Sequence, residues 1–536
     1  MALSVLPVAA QEGTTSDEDK TILESFLQDS LSAAGRTVEI TGFEGALSSR
    51  ATMERLTVSD DEGVWLMLEG AELDWTRSAL LTGRLEIAAL SAARIEIMRA
   101  PVAVNDGAEP TTSDFALPEL PVSIEIGEIS AESLVLGEPL MGVPAELRLS
   151  GGGTLAEGAG QAAFKLERID GQQGRFSVEA EYSNLSKILA LDLDLDEGAN
   201  GIVATLTGLP DGAPLSFALQ GTGALDAYAA DLSLATNGAE RIGGRVTLMR
   251  KDPAAPLDFA ATLAGDPTPL MAAEYRAFFG DDVRLSVVGQ QAGGRLDLST
   301  LAISAEALDL TGSAVIGPGG WPERLALSGT VAGADGAPVR LPMSGDPAWV
   351  ERLGLGVEFD AARGDGWRTE LVLDGFSRPD AQVARARLIG TGTLSPGADG
   401  ALPAFEGHVE LTATGVSGAG DSAAAALGPA LSGSFDLLRT SGDRLAFRNL
   451  TLGGADYRLT GDVNLDTVVE TLDLVAAGAV TLTAEDLSRF AGIAGLDLSG
   501  AAGLRIAGEA ALPGGPFDVE ITGTGEDLAL GIAEVD

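Results

Sequence analysis

The chain has 536 residues, with 79 acidic against 34 basic side chains, a net charge of −45, one histidine and no cysteine. A field of that sign repels phosphate backbones and anionic headgroups, so nucleic acid is not expected among its partners. Without thiolates and with a single imidazole, disulfides, redox pairs and histidine-rich zinc sites are excluded, and no metal, cofactor or enzymatic activity is expected. A hydrophobic content of 45% in alternating order argues for a folded chain, and its length suits several domains or one extended repeat architecture.

Residues 1–10, MALSVLPVAA, read as the remnant of a secretory signal, with small residues before Gln11. Export to the periplasm is the expectation. Within residues 11–35, Ser16 can cap an amphipathic helix whose stripe is Ile22, Leu23, Phe26, Leu27 and Leu31, and Gly35 stops it. No later stretch offers the ~20 uncharged apolar residues that span a bilayer as a helix. Strand-like runs follow at Thr37–Ile40, Glu54–Ser59, Val64–Glu69, Glu72–Trp75, Arg84–Ile87 and Arg94–Met98, with Asp60 to Gly63 as a hairpin turn.

Within this stretch, Gly45-Ala46-Leu47-Ser48-Ser49-Arg50-Ala51, Leu56-Thr57-Val58-Ser59-Asp60 and Gly63-Val64-Trp65 carry a pattern. It continues through Leu73-Asp74-Trp75, Ala79-Leu80-Leu81-Thr82-Gly83-Arg84-Leu85 and Leu90-Ser91-Ala92-Ala93-Arg94-Ile95. Residues 36–100 resemble the N-terminal portion of the TamB family, the inner-membrane component of the translocation and assembly module. That family is AsmA-like and akin to the bridge-like lipid-transfer proteins. The resemblance implies a β-taco sheet, a periplasmic body tethered to the inner membrane, and phospholipid as cargo. It also implies a TamA-like outer-membrane protein as partner, met through a C-terminal region that is expected to be absent from residues 1–536, making the chain a segment of a longer protein.

Residues 101–121, rich in Pro, Asp and Thr, read as a loop or boundary. From 122 to 536 a repetitive β region is expected, with strands at Val122–Ile126, Ser133–Leu136, Glu146–Ser150, Ala162–Glu167 and Arg175–Glu181. Its unit is clearest at Tyr457–Asp466, where Tyr457, Leu459, Gly461, Val463 and Leu465 share one face. The phrase recurs at Leu147–Gly151, Phe217–Gly221, Leu308–Gly312, Leu325–Gly329, Leu496–Gly500 and Val519–Gly523. Inward Gly461, Gly500 and Gly523 are expected to widen the oily side. Short helices are expected at Pro269–Phe279, after Asp346, over Asp421–Ala430 and over Thr483–Ala491. The fold class is therefore mainly β: a long, curled, mostly antiparallel open sheet with a few short helices, holding on the order of 40 strands if one strand and turn take about 12 residues.

Other motifs are weak. Asp192, Asp194 and Asp196 resemble a calcium loop, but Glu197 and Val203 stand where its glycine and glutamate belong, and alternation with Leu191, Leu193 and Leu195 explains an amphipathic strand. The glycines around Gly158 and Gly418 approximate a dinucleotide fingerprint without a strand–turn–helix context. His408 falls on a wet face with Glu410 and Thr412, with no partner evident, and Trp65 and Trp75 read as core residues.

Leu308, Leu310, Leu459, Val463, Leu496, Leu498, Leu504 and Ile506 are the lipid-groove candidates, chosen by strand phase. The expected function is a hydrophobic groove conducting phospholipid acyl chains between inner and outer membranes. Two alternatives stand beside it: an assembly factor for outer-membrane proteins acting by β-strand augmentation, and a packed structural β-rod.

Overall fold

The computed structural model describes residues 37–45, 49–102, 116–118, 120, 122–252, 255–343, 346–379, 381–395, 404–418, 426–439, 445–468, 473–512 and 517–529. The signal remnant, the N-terminal helix, most of 101–121 and the first part of Asp421–Ala430 lie outside them. The described residues form one open, mostly antiparallel sheet of 29 strands with a few short helices. They divide into two compact units, Met1–Gly243 and Gly244–Asp536, the boundary falling within the strand Ala239–Met249.

The strands are fewer and longer than the expected 40, because several runs that read as separate are continuous. Val64–Glu69 and Glu72–Trp75 join in the strand Gly63–Trp75. Gly70 sits between them at φ +60°, and the register to the next strand skips it, Glu69 facing Arg94 and Ala71 facing Ala92. Only glycine adopts that left-handed conformation cheaply, so what reads as a strand end is a local kink within one strand whose register is unchanged on either side. In the same way Arg84–Ile97 and Ser123–Leu136 each absorb two expected runs. These two strands pair in parallel, whereas each pairs antiparallel with its other neighbour.

Turn chemistry follows the sequence. Asp60 pairs with Gly63 across a two-residue loop, and its Oδ1 accepts the Glu62 N–H at 3.0 Å. Asn237 and Gly238 both hold positive φ, 51° and 73°, the left-handed pair that a tight hairpin requires.

In each unit the helical inserts gather at one margin of the sheet, except Arg77–Thr82, which sits at the opposite end of the strands. In the first unit these are Glu138–Met141 and Ile202–Leu206, which pack with Leu134, Leu136, Ala145 and Leu147. In the second they are Thr268–Leu270, Ala273–Tyr275 with Arg276–Phe279, and Leu487–Phe490 with Ala491–Ala494. A ribbon of Val339–Arg340 and Trp349–Val350 lies at that margin too. The helix expected after Asp346 does not form: Val350 is fully buried in an extended strand, and Asp346 instead pairs with Arg378 at 3.2 Å. Pro269–Phe279 is two 3-10 turns and a single α turn, broken where Met271 is extended. Asp486 caps Leu487–Phe490, its side chain accepting the Ser488 N–H at 2.9 Å.

Candidate functional site: an in-register apolar face

Alternation puts one apolar face on each strand, and register decides whether those faces line up. They do. In the first unit a cross-strand row runs Ala51, Leu73, Leu90, Ile129, Gly151, Phe164, Val178, Leu193, Leu219, Leu232, each directly opposite the next. In the second unit a row runs Leu263, Leu285, Ile303, Leu310, Gly329, Leu355, Leu371, Leu388, Leu411 and on to Gly433. It continues through Leu452, Leu459, Leu482 and Leu504 to Gly523. No charged or amide side chain interrupts either row.

Among the described residues, the buried clusters of the second unit's long row lie toward the insert margin, while Phe359, met edge-on by Trp321, is buried at the other. In the second unit, Phe278, Ala307, Val331, Val339 and Val350 form one buried cluster, with Leu308, Leu353 and Leu373 against it. Another joins Tyr457, Leu482, Ala484, Leu487 and Ala502, with Leu459, Leu498, Leu504 and Phe490 against it. Arg489 clasps this second insert: it pairs with Asp456 at 2.5 Å, donates to the Ala426 carbonyl at 3.2 Å and stacks over the Tyr457 ring at 5.2 Å. The Tyr457 hydroxyl donates to the Leu427 carbonyl at 2.9 Å, and burial raises its pKa. Between these clusters Leu355, Leu371, Leu388, Leu411 and Leu452 stay half-buried and belong to no buried cluster.

The opposite face is polar and tied by ion pairs such as Arg385–Asp374 and Arg387–Glu370, both 2.7 Å. His408 lies there, exposed, with a partner that sequence did not reveal: its Nδ1 is 2.7 Å from Asp436 Oδ1, and the Asn449 amide donates to Asp436 Oδ2 at 2.7 Å. The Asn449 and His408 hydrogen bonds hold the Asp436 carboxyl below its ordinary range. In the first unit, Asp192, Asp194 and Asp196 face away from the apolar rows that Leu191, Leu193 and Leu195 occupy. Among the described residues no group of histidine and carboxylate side chains could hold a metal. Gly158 opens a strand, Ala159–Arg168, where a dinucleotide fingerprint needs a helix.

The sequence candidates divide. Leu310, Leu459 and Leu504 lie in the long row, Val463 and Ile506 in flanking rows of the same face, and Leu308 beside the first buried cluster. Leu496 and Leu498 are not strand residues: the strand begins at Ser499, the ladder skips at Gly500 with φ +90°, Leu496 is 42% exposed, and Leu498 packs against the Leu487 insert. Phase alone could not show this, because a bulge resets the count. Leu355, Leu371, Leu388, Leu411 and Leu452 were missed, although each alternates in its own strand; only register joins them.

Several glycines of the apolar face leave no space for a Cβ. A Cβ at Gly329 would lie 2.9 Å from Leu310 Cδ1, one at Gly523 2.8 Å from Leu504 Cδ2, and one at Gly151 would strike the Phe164 ring. These three glycines receive a large side chain leaning over from the neighbouring strand, while Gly461 and Gly500, also expected to widen the face, lie closest to backbone atoms of the next strand.

No family model, no curated protein and no solved structure matches the chain.

Proposed function

We propose that the apolar face carries lipid acyl chains, and that the chain is a segment of a TamB-like envelope protein moving phospholipid between membranes in the periplasm, toward a TamA-like partner at the outer membrane. The observation that supports this reading is the continuous, half-buried leucine row of the second unit. A rod packed shut by its own side chains would bury Leu371, Leu388 and Leu411 as fully as Val350 and Leu487, which are 0% and 1% exposed.

The energetics favour such a surface. Two acyl chains of ~15 methylenes each cost roughly 24 kcal/mol to expose to water at ~0.8 kcal/mol per methylene. An aliphatic floor offsets most of that cost without a fixed polar group to trap a headgroup. Sliding then needs no deep site.

The test is organic extraction and mass spectrometry of the purified chain beside an equally acidic soluble control. Phospholipid near or above one molecule per chain is the expected result. Leu411→Asp should reduce that load severalfold, whereas Thr412→Asp, on the polar face, should leave it unchanged. Equal effects of the two, with cooperative unfolding retained, would remove the apolar face from the mechanism.

A further inference from the structure

Among the described residues, the apolar face of the second unit is interrupted by clustered glycines at two places, and at one of them an aromatic ring lies over the gap. Where the strands Gly366–Ser377, Gln382–Ser395 and Ala404–Ser417 meet, Gly390, Gly392 and Gly407 stand together on that face, and Thr369 replaces a leucine. Three glycines on two adjacent strands would leave bare peptide groups, a polar patch in an aliphatic surface. Thr369 spends its hydroxyl on the Gly356 carbonyl at 3.0 Å, so it presents its methyl.

Trp367 lies across this gap. It is directly opposite Gly392, and its indole N–H donates to the Glu406 carbonyl at 3.1 Å, two strands away. The ring therefore reclines along the sheet. A Cβ at Gly390 would come within 2.8 Å of it, and one at Gly407 would collide with it outright. Phe405 stacks on the same ring, centroids 4.9 Å apart and planes 17° apart. Gly390, Gly407 and Val409 are buried in this surface, while Trp367 itself is only half-buried.

We infer that Trp367 is a cargo-contact residue: its ring bridges the glycine gap, so that acyl chains cross an unbroken apolar surface there. The inference rests on the lipid reading above. The two strands that flank the gap supply glycine so that the ring can lie flat, and the Glu406 hydrogen bond and the Phe405 stack fix it in that pose. A tryptophan held by two contacts presents a rigid, wide face at low entropic cost. On this face one aromatic residue does there what several leucines do along the row.

The probe is phosphatidylcholine with a dibrominated acyl chain, offered to the full chain carrying Trp65→Phe, Trp75→Phe, Trp321→Phe and Trp349→Phe. Bound lipid is counted by mass spectrometry in the same samples. Expected are at least twofold quenching of Trp367 fluorescence by the brominated lipid and none by its unbrominated counterpart. Bound lipid without quenching overturns this inference and leaves the lipid reading intact; absence of bound lipid overturns both. A second readout uses the otherwise unaltered chain: Trp367→Ala should slow lipid transfer between vesicles at least fivefold, and Trp367→Phe should restore most of it. If alanine and phenylalanine transfer equally well, the ring is not a contact surface.

Discussion

Along the second unit's apolar face, the stretch at Tyr457 and the stretch at Leu411 share the same row but differ in what lies above them. Over Tyr457, Leu482 and Ala502 an insert presses Leu487 and Phe490 into the sheet and is fastened by Arg489. Over Leu371, Leu388 and Leu411 there is no such cluster among the described residues. The difference teaches that this sheet does not need a second layer everywhere. Ladder hydrogen bonds and leucine-to-leucine contacts along the row hold the open stretch, and dry packing is concentrated where loops return to one margin.

The sharpest way to break this comparison is a pair of truncations. Leu487→Ala should lower stability by about 2–5 kcal/mol, the range for a leucine removed from a closed core. Leu411→Ala removes a half-buried side chain and should lower it by only about 1 kcal/mol. Denaturant unfolding of both variants decides the matter, and equal losses would mean that the open stretch is as tightly packed as the covered one.

The clasp on the covered stretch gives a smaller effect. Arg489→Met keeps the aliphatic stem over the Tyr457 ring but loses the contacts to Asp456 and the Ala426 carbonyl, and about 1–3 kcal/mol should be lost. Since Asp456 would then be left without its cation, the double variant with Asp456→Asn should recover part of it. Additive losses in that cycle would show that the arginine acts on the insert without the carboxylate.

Strand phase was readable because leucine and aspartate alternate so strictly in stretches such as Leu191–Asp196, and the mainly β fold followed from it. Register was not. Gly500 and the skip between Leu298 and Leu301 each shift the ladder, whereas Gly70 turns left-handed without shifting it, and in sequence a bulge looks like an ordinary glycine or like nothing at all. The inserts were half-legible for a related reason. Asp486 before Leu487 announces a helical turn, whereas Trp349–Val350 becomes extended because Val350 meets Phe278 and Val331, which are distant in sequence. Trp367 was invisible as a site, since its role depends on Gly390, Gly392 and Gly407 arriving beside it from two other strands.

The smallest effect concerns the polar side of the open stretch, where Asp436 joins His408 to Asn449. Hydrogen bonds from Asn449 first and His408 second depress the Asp436 pKa in the folded state. A depressed carboxyl contributes stability that is present above its ordinary value of 3.8 and is lost as pH falls from there toward the lower folded value. Asn449→Gly removes the larger cause without backbone strain, because residue 449 sits at φ +52°, where glycine is at ease. Near pH 7 the variant should be slightly less stable than the parent chain, and the gap should close as the pH drops below 3.8. A gap that stays constant through acid unfolding would mean that the polar network beneath the open stretch contributes nothing through Asp436, and the leucine row and its ladder would have to hold that stretch unaided.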